Sequence, residues 1–553
     1  MTTSNYPPTH LKILNADQIR AIELATFEQT GVTSLAIMES AGREISRFLL
    51  EHYLCENPSE CLFLLGSGNN GGDGYIAART LINMGLHVRV LSTKRLEDLT
   101  GDARTSANAF LNCGGHFIVL QEDSSLESVV SEAVSRATVI VDCLLGTGVK
   151  GAPTGMVSEV IKHLNQSARY YSKPIVSVDL PSGLDPSTSQ IAGICVKADV
   201  TLGIQNLKVC HVLFPSSESC GQVFLLDIGL TKNFVDQSSC VAELLCFDCA
   251  SREAAPFLRL SNDAHKGTRG HVLVVGGSSG KFGAAKLSAS AALLAGAGLA
   301  TVILDVDSAR VLGPVLNEVM CESFEEDESG FLKALGTSIQ TKDAVVLGPG
   351  LGISARSREL VELTLRLCQE LGNPVVVDAD ALNILAANPE ISKVMPANAV
   401  VTPHPGEMSR LLGQSIQDVQ ADRLEAAKML AGRWGAWVLL KGARSVIAAP
   451  DGRCFVNPTA TESLATAGSG DVLSGAIGAL LAKGLEPGLA LRTAVFAHGF
   501  AGGQLCIDRG GSSAVIAGDI AFYLGLALNK LGAHDSSRSK PASFICKVFE
   551  GLS

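Results

Sequence analysis

A run of small residues followed by a single carboxylate stands out at 466–475 (TAGSGDVLSG). Glycines at a helix start let backbone N–H groups approach a ligand, and the helix dipole favours an anion there. Asp471 would repel a phosphate bound at this turn, unless it removes the proton from a hydroxyl group that attacks the phosphate. We therefore interpret the turn as a phosphoryl-transfer site with Asp471 as its base. A capped helix start without a ligand is the alternative.

Polar residues follow three predicted strands in the first half of the chain. One strand leads into a glycine-rich loop at 66–74 (GSGNNGGDG), and the other two end at Asp142 and at Asp179. Ligands of open α/β sheets bind beyond the carboxyl ends of the strands. We therefore expect these three strand ends, together with Asn70 and Ser182, to form one site for a polar ligand.

The loop at 66–71 also satisfies the G-x-G-x-x-G pattern of dinucleotide-binding folds, which alone is a weak signal. The residues after the next strand, 92–95 (STKR), would suit the 2′-phosphate of NADP, so an NADP-dependent oxidoreductase is an alternative. Asn69, Asn70 and Asp73 argue against it, because they place polar side chains where a pyrophosphate needs bare backbone. Such oxygen-rich loops favour a polar ligand or a hard cation.

Strands that alternate with helices position these residues in both halves. From residue 271 to residue 440 the alternation predicts a parallel sheet that is covered on both faces, and Pro450–Arg453 is typical of a hairpin turn. A chain of 553 residues is also too long for one hydrophobic core. We predict an α/β protein with domains at 1–232 and 259–531, a linker at 233–258 and a C-terminal tail at 532–553.

Composition narrows the function classes. The net charge of −11, without any basic run, argues against nucleic acid and against an anionic membrane surface. The most apolar stretch, 284–304, contains Lys286 and two glycines, which indicates a buried helix and strand and not a membrane span. Fifteen cysteines are scattered apart from Cys246-x-x-Cys249, which is a weak zinc signal and more typical of coincidence. Scattered thiols fit the reducing cytoplasm.

Three ordered motifs of the first half resemble the NAD(P)H-hydrate epimerase family: 69–74 (NNGGDG), 142–151 (DCLLGTGVKG) and 178–183 (VDLPSG). The resemblance spans about residues 11–230. It implies a Rossmann-like three-layer sandwich that binds a hydrated, damaged nicotinamide cofactor.

Residue roles in this half follow from the resemblance. It implies that Asn70, Asp142 and Ser182 hold K⁺, and that Asp179, helped by Lys150, moves protons while C6 of the hydrated ring inverts. The substrate contacts that it implies are Asn69, Asn70, Gly71, Gly72, Asp73, Gly146, Thr147, Gly148, Val149, Lys150, Gly151, Ala152 and Asp179.

The second half, about residues 265–531, resembles the NAD(P)H-hydrate dehydratase family, a branch of the ribokinase-like fold. The motifs that carry the resemblance are 265–270 (HKGTRG), 276–285 (GGSSGKFGAA), 348–352 (GPGLG), 378–382 (DADAL), 402–407 (TPHPGE) and 468–473 (GSGDVL). It implies a ribokinase-like three-layer sandwich that phosphorylates the 6-hydroxyl of the hydrated cofactor and then loses phosphate. It also implies ADP in preference to ATP as phosphoryl donor, with Mg²⁺ on its phosphates.

The resemblance again implies the contacts. Those to the hydrated cofactor are Ala284, Gly350, His404 and Asp471. Those to the nucleotide are Lys441, Gly442, Ala443, Arg444, Ser445 and Gly470.

Taken together, the two halves predict a cytoplasmic repair enzyme for hydrated NADH and NADPH. The first half would equilibrate the R and S hydrates at C6, and the second would dehydrate the S hydrate with ADP. Its partners would be small molecules and a second copy of the chain in a homo-oligomer, with no nucleic acid or membrane. A ribokinase-like kinase for a small alcohol, fused to a nucleotide-binding module, is the alternative.

Overall fold

The computed structural model describes residues 11–55, 60–148, 150–315, 317–324, 328–459, 461–533 and 545–547. The chain divides into two compact units between Ala242 and Glu243, and the segment at 545–547 groups with the first unit. Both units are α/β with largely parallel sheets, which confirms the predicted fold class. In the part of the chain that is described, no helix is both long and apolar enough to cross a membrane.

The described residues of the first unit form nine strands before the division. They are β1 (Leu11–Leu14), β2 (Glu60–Leu65), β3 (His87–Ser92), β4 (Ile118–Val119), β5 (Val139–Cys143), β6 (Ile175–Val178), β7 (Val200–Ile204), β8 (Leu207–Lys208) and β9 (Gln222–Leu226). Its helices are α1 (Ala16–Thr30), α2 (Ser34–His52), α3 (Asn69–Asn83), α4 (Gly101–Asn112), α5 (Leu126–Arg136), α6 (Gly155–Tyr171), α7 (Val209–Val212) and α8 (Lys232–Gln237).

The main sheet of this unit has the order β9-β7-β6-β5-β2-β3-β4, and all these neighbours are parallel. A C-terminal strand, Ile545–Lys547, pairs antiparallel with β9. Phe63 packs in the core on one face, whereas Leu62 and Leu64 pack in the core on the other. Both faces are therefore covered, and the carboxyl ends of β2, β5 and β6 lie side by side.

Ten strands are formed by the residues of the second unit that the structure describes. They are β10 (Ala242–Leu244), β11 (His271–Val275), β12 (Leu299–Asp305), β13 (Met320–Phe324), β14 (Ala344–Leu347), β15 (Val375–Val377), β16 (Val400–Val401), β17 (Trp437–Leu440), β18 (Val446–Ala448) and β19 (Cys454–Val456). Its helices are α9 (Phe247–Leu258), α10 (Phe282–Leu294), α11 (Val306–Leu312), α12 (Glu328–Gln340), α13 (Ala355–Leu371), α14 (Asp380–Ala387), α15 (Pro405–Leu412), α16 (Ile416–Ala421), α17 (Arg423–Trp434), α18 (Ser469–Ala482), α19 (Pro487–Arg509) and α20 (Ala517–Ala533).

The second sheet has the order β13-β12-β11-β14-β15-β16-β17-β18-β19-β10. It is parallel from β13 to β17, and β18 runs antiparallel to both of its neighbours. The hairpin predicted around Pro450–Arg453 joins β18 to β19 and is therefore confirmed.

The segment at 233–258 is folded in the structure. It contains most of α8, strand β10 and helix α9, and residues Leu245 and Ala250 belong to the core of the second unit. A disulfide joins Cys246 to Cys249 at the start of α9, where the sequence indicates only an incidental pair. Helix α9 packs against α19 and α20. The segment therefore belongs to the two folded units, whereas the sequence analysis interprets it as a linker.

Candidate active sites

Asp471 lies in the first turn of α18, and Gly468 caps the helix in the left-handed conformation with φ of 86°. The Ser288 hydroxyl donates a hydrogen bond of 2.7 Å to the Asp471 carbonyl oxygen and fixes this turn against α10. Burial raises the pKa of Asp471 to about 6, with a further increase from the Asp378 carboxylate and an opposing effect of Lys441. A carboxylate with such a pKa is a competent base near neutral pH.

A buried ion pair stands beside this helix start. The Lys441 ammonium donates a 2.7 Å bond to Asp378, and the Ser474 hydroxyl donates a 2.5 Å bond to the second oxygen of the same carboxylate. Burial disfavours the charge of Lys441, but Asp378 and Glu407 outweigh it and raise the pKa of the ammonium. A Cβ atom at Gly470 would lie 3.5 Å from the Lys441 ammonium, which shows that the start of α18 is close to this ion pair.

His404 and Glu407 form the start of α15. The His404 amide donates a 2.8 Å bond to the Glu407 carboxylate, while the His404 Nδ1 atom accepts a 3.0 Å bond from the Gly406 amide. Burial and Lys441 lower the pKa of His404, so the ring is neutral and carries its proton on Nε2. Burial raises the pKa of Glu407 to about 7 although Lys441, 4.0 Å away, opposes this shift.

Glu407 lines an open cavity of about 470 Å³, whereas Asp471 and His404 are not among the residues that line it. Of the predicted residues, Ala284 and Gly350 line it, together with Asp380 and Glu407. The Asp380 carboxylate accepts a 3.1 Å bond from Lys281 and a 2.8 Å bond from the Gly352 amide. The cavity therefore presents carboxylates and open backbone to a polar ligand.

The predicted nucleotide loop follows β17. Gly442 and Ala443 are exposed, whereas the Arg444 guanidinium turns inward and donates to the Pro458 carbonyl oxygen. Burial lowers the pKa of Arg444 to about 10. The Ser445 hydroxyl donates a 2.9 Å bond to the Gly442 carbonyl oxygen. The tip of the loop therefore exposes its backbone at Gly442 and Ala443. The Arg444 guanidinium instead contacts the carbonyl oxygen of Pro458.

In the first unit, the predicted cation residues meet at the ends of β5 and β6. The buried Asp142 carboxylate accepts bonds from the Ser182 hydroxyl at 2.6 Å, from the Ser182 amide at 2.9 Å and from the Ser177 hydroxyl at 2.8 Å. Burial raises the pKa of Asp142, against these hydrogen bonds. The Asn70 amide group donates to the Leu145 and Val178 carbonyl oxygens at 2.8 and 3.1 Å. Its Oδ1 atom is buried without a hydrogen-bond partner among the described residues.

The remaining predicted residues of this half lie on two segments. The first turns of α3 carry Asn69, Asn70, Gly71, Gly72 and Asp73. The loop after β5 carries Gly146, Thr147, Gly148, Lys150, Gly151 and Ala152, and Val149 lies outside the described residues. A Cβ atom at Gly146 would lie 3.1 Å from the Asn70 Cβ, so the two segments are in contact.

Asp179 follows β6 in the left-handed conformation, with φ of 68°. The ammonium on its carboxylate is that of Lys208, with Nζ 2.5 Å from Oδ1. Lys150, the predicted helper, is exposed, and no ion pair joins it to Asp179 within the described chain. The structure thus pairs Asp179 with a different lysine from the one that the sequence indicates.

Four residues without an assigned role in the sequence analysis contact candidate site residues: Lys208, His211, Asp378 and Glu407. A signal for the first two exists, because charged or polar residues within an apolar run, 207–213 (LKVCHVL), imply burial with a partner. Asp378 and Glu407 lie in motifs already noted, but only the fold shows that both approach Lys441.

Residues 272–521 match the family described as NAD(P)H-hydrate dehydratase, and residues 34–210 match the family described as YjeF-related protein N-terminus. A relative from Moorella thermoacetica, named bifunctional NAD(P)H-hydrate repair enzyme Nnr, is 37% identical over 94% of this chain and 97% of its own. The Escherichia coli relative of the same name is 34% identical over 93% of each chain.

Among solved structures, the chain is similar to an ADP/ATP-dependent NAD(P)H-hydrate dehydratase from Bacillus subtilis. The identity is 29%, the match covers 49% of this chain and 94% of that one, and the TM-score is 0.42. The two relatives match both units in one continuous alignment at more than 30% identity, and they share one name. The chain therefore belongs to the family of bifunctional NAD(P)H-hydrate repair enzymes.

Proposed function

We propose that this protein restores NADH and NADPH from their hydrates through two activities on one chain. The first unit interconverts the R and S hydrates at C6, and the second dehydrates the S hydrate at the expense of a nucleotide, with ADP preferred. The observation that carries the proposal is the half-buried Asp471 at the start of α18, beside the Asp378–Lys441 pair. This arrangement is suited to a base that acts on an alcohol next to a phosphate.

In the second unit, Asp471 takes the proton of the 6-hydroxyl group as its oxygen attacks the terminal phosphorus of the nucleotide. The P–O bond to the nucleotide breaks, and the shorter nucleotide departs. The C6–O bond then breaks, inorganic phosphate leaves, and loss of a proton from C5 restores the ring double bond. The amide groups at the start of α18 face the transferred phosphate, where the helix dipole favours negative charge.

His404, Ala284 and Gly350 would hold the hydrated ring, and residues 441–445 with Gly470 would hold the nucleotide. Mg²⁺ would neutralise charge on the nucleotide phosphates. The donor set of the cavity fits this ion, because the Asp380 and Glu407 carboxylates that line it are hard oxygen ligands.

In the first unit, Asp179 is the proton-transfer group, with Lys150 contacting the substrate. The 6-hydroxyl group leaves as water after protonation, the ring nitrogen stabilises the cation, and water returns to the other face of C6. The residues proposed for K⁺ also fit: the buried Asn70 Oδ1 has no hydrogen-bond partner among the described residues, and K⁺ prefers such oxygen atoms.

A mixture of the R and S hydrates of NADH, incubated with the protein and ADP or ATP, tests the proposal through the absorbance of restored NADH. Consumption of both epimers requires both units, whereas consumption of the S epimer alone requires only the second. Faster turnover with ADP than with ATP supports the preferred donor. The absence of restored NADH with either nucleotide would refute the proposed function.

Sizing chromatography and cell fractionation test the proposed homo-oligomer and the cytoplasmic location.

A further inference from the structure

We propose that Lys208 is the cation that holds the Asp179 carboxylate in position for proton transfer. The inference deepens the epimerase function proposed above and rests on it. It concerns a positioning residue, because Lys208 is 1% exposed and acts through Asp179.

The ammonium of Lys208 is fully used within the protein. Its Nζ atom lies 2.5 Å from the Asp179 Oδ1 atom and donates to the Ile204 and Asn206 carbonyl oxygens at 3.2 and 3.3 Å. Three partners account for its three N–H groups. Lys208 therefore has no donor left for a substrate, and its effect reaches the reaction through the carboxylate.

His211 forms hydrogen bonds with the backbone of both Lys208 and Asp179. Its Nδ1 atom accepts a 3.2 Å bond from the Lys208 amide, and its Nε2 atom donates a 2.8 Å bond to the Asp179 carbonyl oxygen. Burial, followed by the charge of Lys208, lowers the pKa of His211 to about 3, so the ring is neutral with its proton on Nε2. One side chain thus fixes the backbone of both members of the ion pair.

The Asp179 carboxylate is consequently held by one of its oxygens. Oδ1 accepts from Lys208 and, at 3.3 Å, from the Ile204 amide. No hydrogen bond reaches Oδ2 from the residues that the structure describes. An oxygen that remains open on a fixed carboxylate is what a proton acceptor requires.

Several acidic groups surround Asp179, and the Lys208 ammonium offsets their negative charge. Glu23 on α1 and Asp73 on α3 face it, and burial, followed by the Asp179 charge, raises the pKa of each. The buried thiol of Cys210 on α7 is near Asp179 and Asp185, and Arg20 acts on Glu23 from the exposed side of α1. Lys208 is thus the buried cation that offsets several crowded carboxyl groups. A crowded carboxylate that loses its cation takes up a proton at higher pH.

The test measures epimerisation of hydrated NADH by the full-length protein as a function of pH. Lys208→Gln keeps hydrogen-bond donors for the carbonyl oxygens but removes the charge, and Lys208→Met removes both. In both variants we expect the rate at pH 7 to fall at least about tenfold and the acid limb of the profile to move up by about one pH unit or more. Lys208→Arg, which keeps the charge, should retain the limb of the unaltered protein.

Dehydration of the S hydrate by the same polypeptide serves as the internal reference and should not change.

Lys12→Met is the matched control, because the Lys12 ammonium is held by the carbonyl oxygens of Val235, Asp236 and Ser238 and not by a carboxylate. An acid limb that stays in place in Lys208→Gln would overturn the proposal, even if the rate falls. So would a limb that moves in Lys150→Met instead. An unaltered protein without epimerase activity would refute the proposed function itself, which distinguishes the two failures.

Discussion

Two properties of Asp471 support its proposed role as a base: it lies in the first turn of helix α18, and burial raises its pKa to about 6. The same burial would exclude water from the attacking hydroxyl group. The Asp378 carboxylate, which is paired with the Lys441 ammonium, adds a negative charge near Asp471 and raises its pKa further.

Asp471→Asn should abolish most dehydration and preserve nucleotide binding, because the amide keeps the shape of the side chain but cannot accept the proton. We expect turnover to fall by about 10²- to 10⁴-fold, the usual contribution of a general base. Calorimetry with ADP measures binding separately. Asp451→Asn, in the exposed hairpin turn after β18, is the control and should behave like the unaltered protein. Unchanged turnover in Asp471→Asn would remove the role assigned to this residue.

Dehydration should depend on pH through Asp471. The base must be deprotonated, and its pKa in the free protein is about 6. The value of kcat/KM should therefore be constant above this pH and fall about tenfold per pH unit below it. A profile that is flat down to pH 5 would contradict the assignment.

The sequence predicted the polar groups of both sites from their position at strand ends and helix starts, since such positions follow from local pattern. It could not predict which lysine reaches Asp179. Lys150 lies in a glycine-rich loop and Lys208 in an apolar run, and neither pattern indicates a contact with Asp179. Lys208 reaches the Asp179 carboxylate because it lies on β8, and the position of that strand is set by the tertiary structure. Long-range ion pairs of this kind depend on tertiary structure.

Helices α10 and α18 position the dehydratase site by packing backbone to backbone. A Cβ atom at Gly475 would collide with the carbonyl oxygen of Ser288, so glycine is required there. The same contact brings the start of α18 next to the first turn of α10, where Ala284 lines the cavity.

Gly475→Ala should therefore destabilise the second unit by about 1–3 kcal/mol, as overpacking of a close contact does. Chemical denaturation monitored by circular dichroism measures the loss. Gly432→Ala is the matched control, because no atom lies within 4 Å of its added Cβ on helix α17. That substitution should leave the free energy of unfolding unchanged or raise it by up to about 1 kcal/mol. Equal effects of both substitutions would contradict the packing argument.

The elements themselves were predictable where periodicity or turn chemistry is strong. Strands β11, β14 and β17 lie within the stretch from residue 271 to residue 440 where a parallel sheet is predicted, and β18 and β19 flank the predicted hairpin turn. Helix α9 was not predicted, because its sequence, FDCASREAAPFL, contains a proline and lies in the poorly periodic segment at 233–258 that was interpreted as a linker. The short C-terminal strand gave no periodic signal, and its pairing with β9 depends on chain topology.

The whole chain returns to its first unit at the end, because Ile545–Lys547 pairs with β9 after the second unit is complete. A chain that stops after Ala533 should lose heat resistance of epimerase activity and keep that of dehydratase activity, since β9 would become an unprotected edge. Residual activity after stepwise heating, measured for both reactions, checks this. Equal heat resistance of epimerase activity in the two chains would contradict it.

This topology also sets the order of events during translation. The ribosome synthesises the described elements of the second unit before it reaches the strand at 545–547, so the first unit can add that strand to its sheet only after the second unit has been synthesised. A messenger truncated after codon 533 would therefore yield a finished carboxyl-terminal enzyme attached to an amino-terminal one that lacks a strand of its sheet.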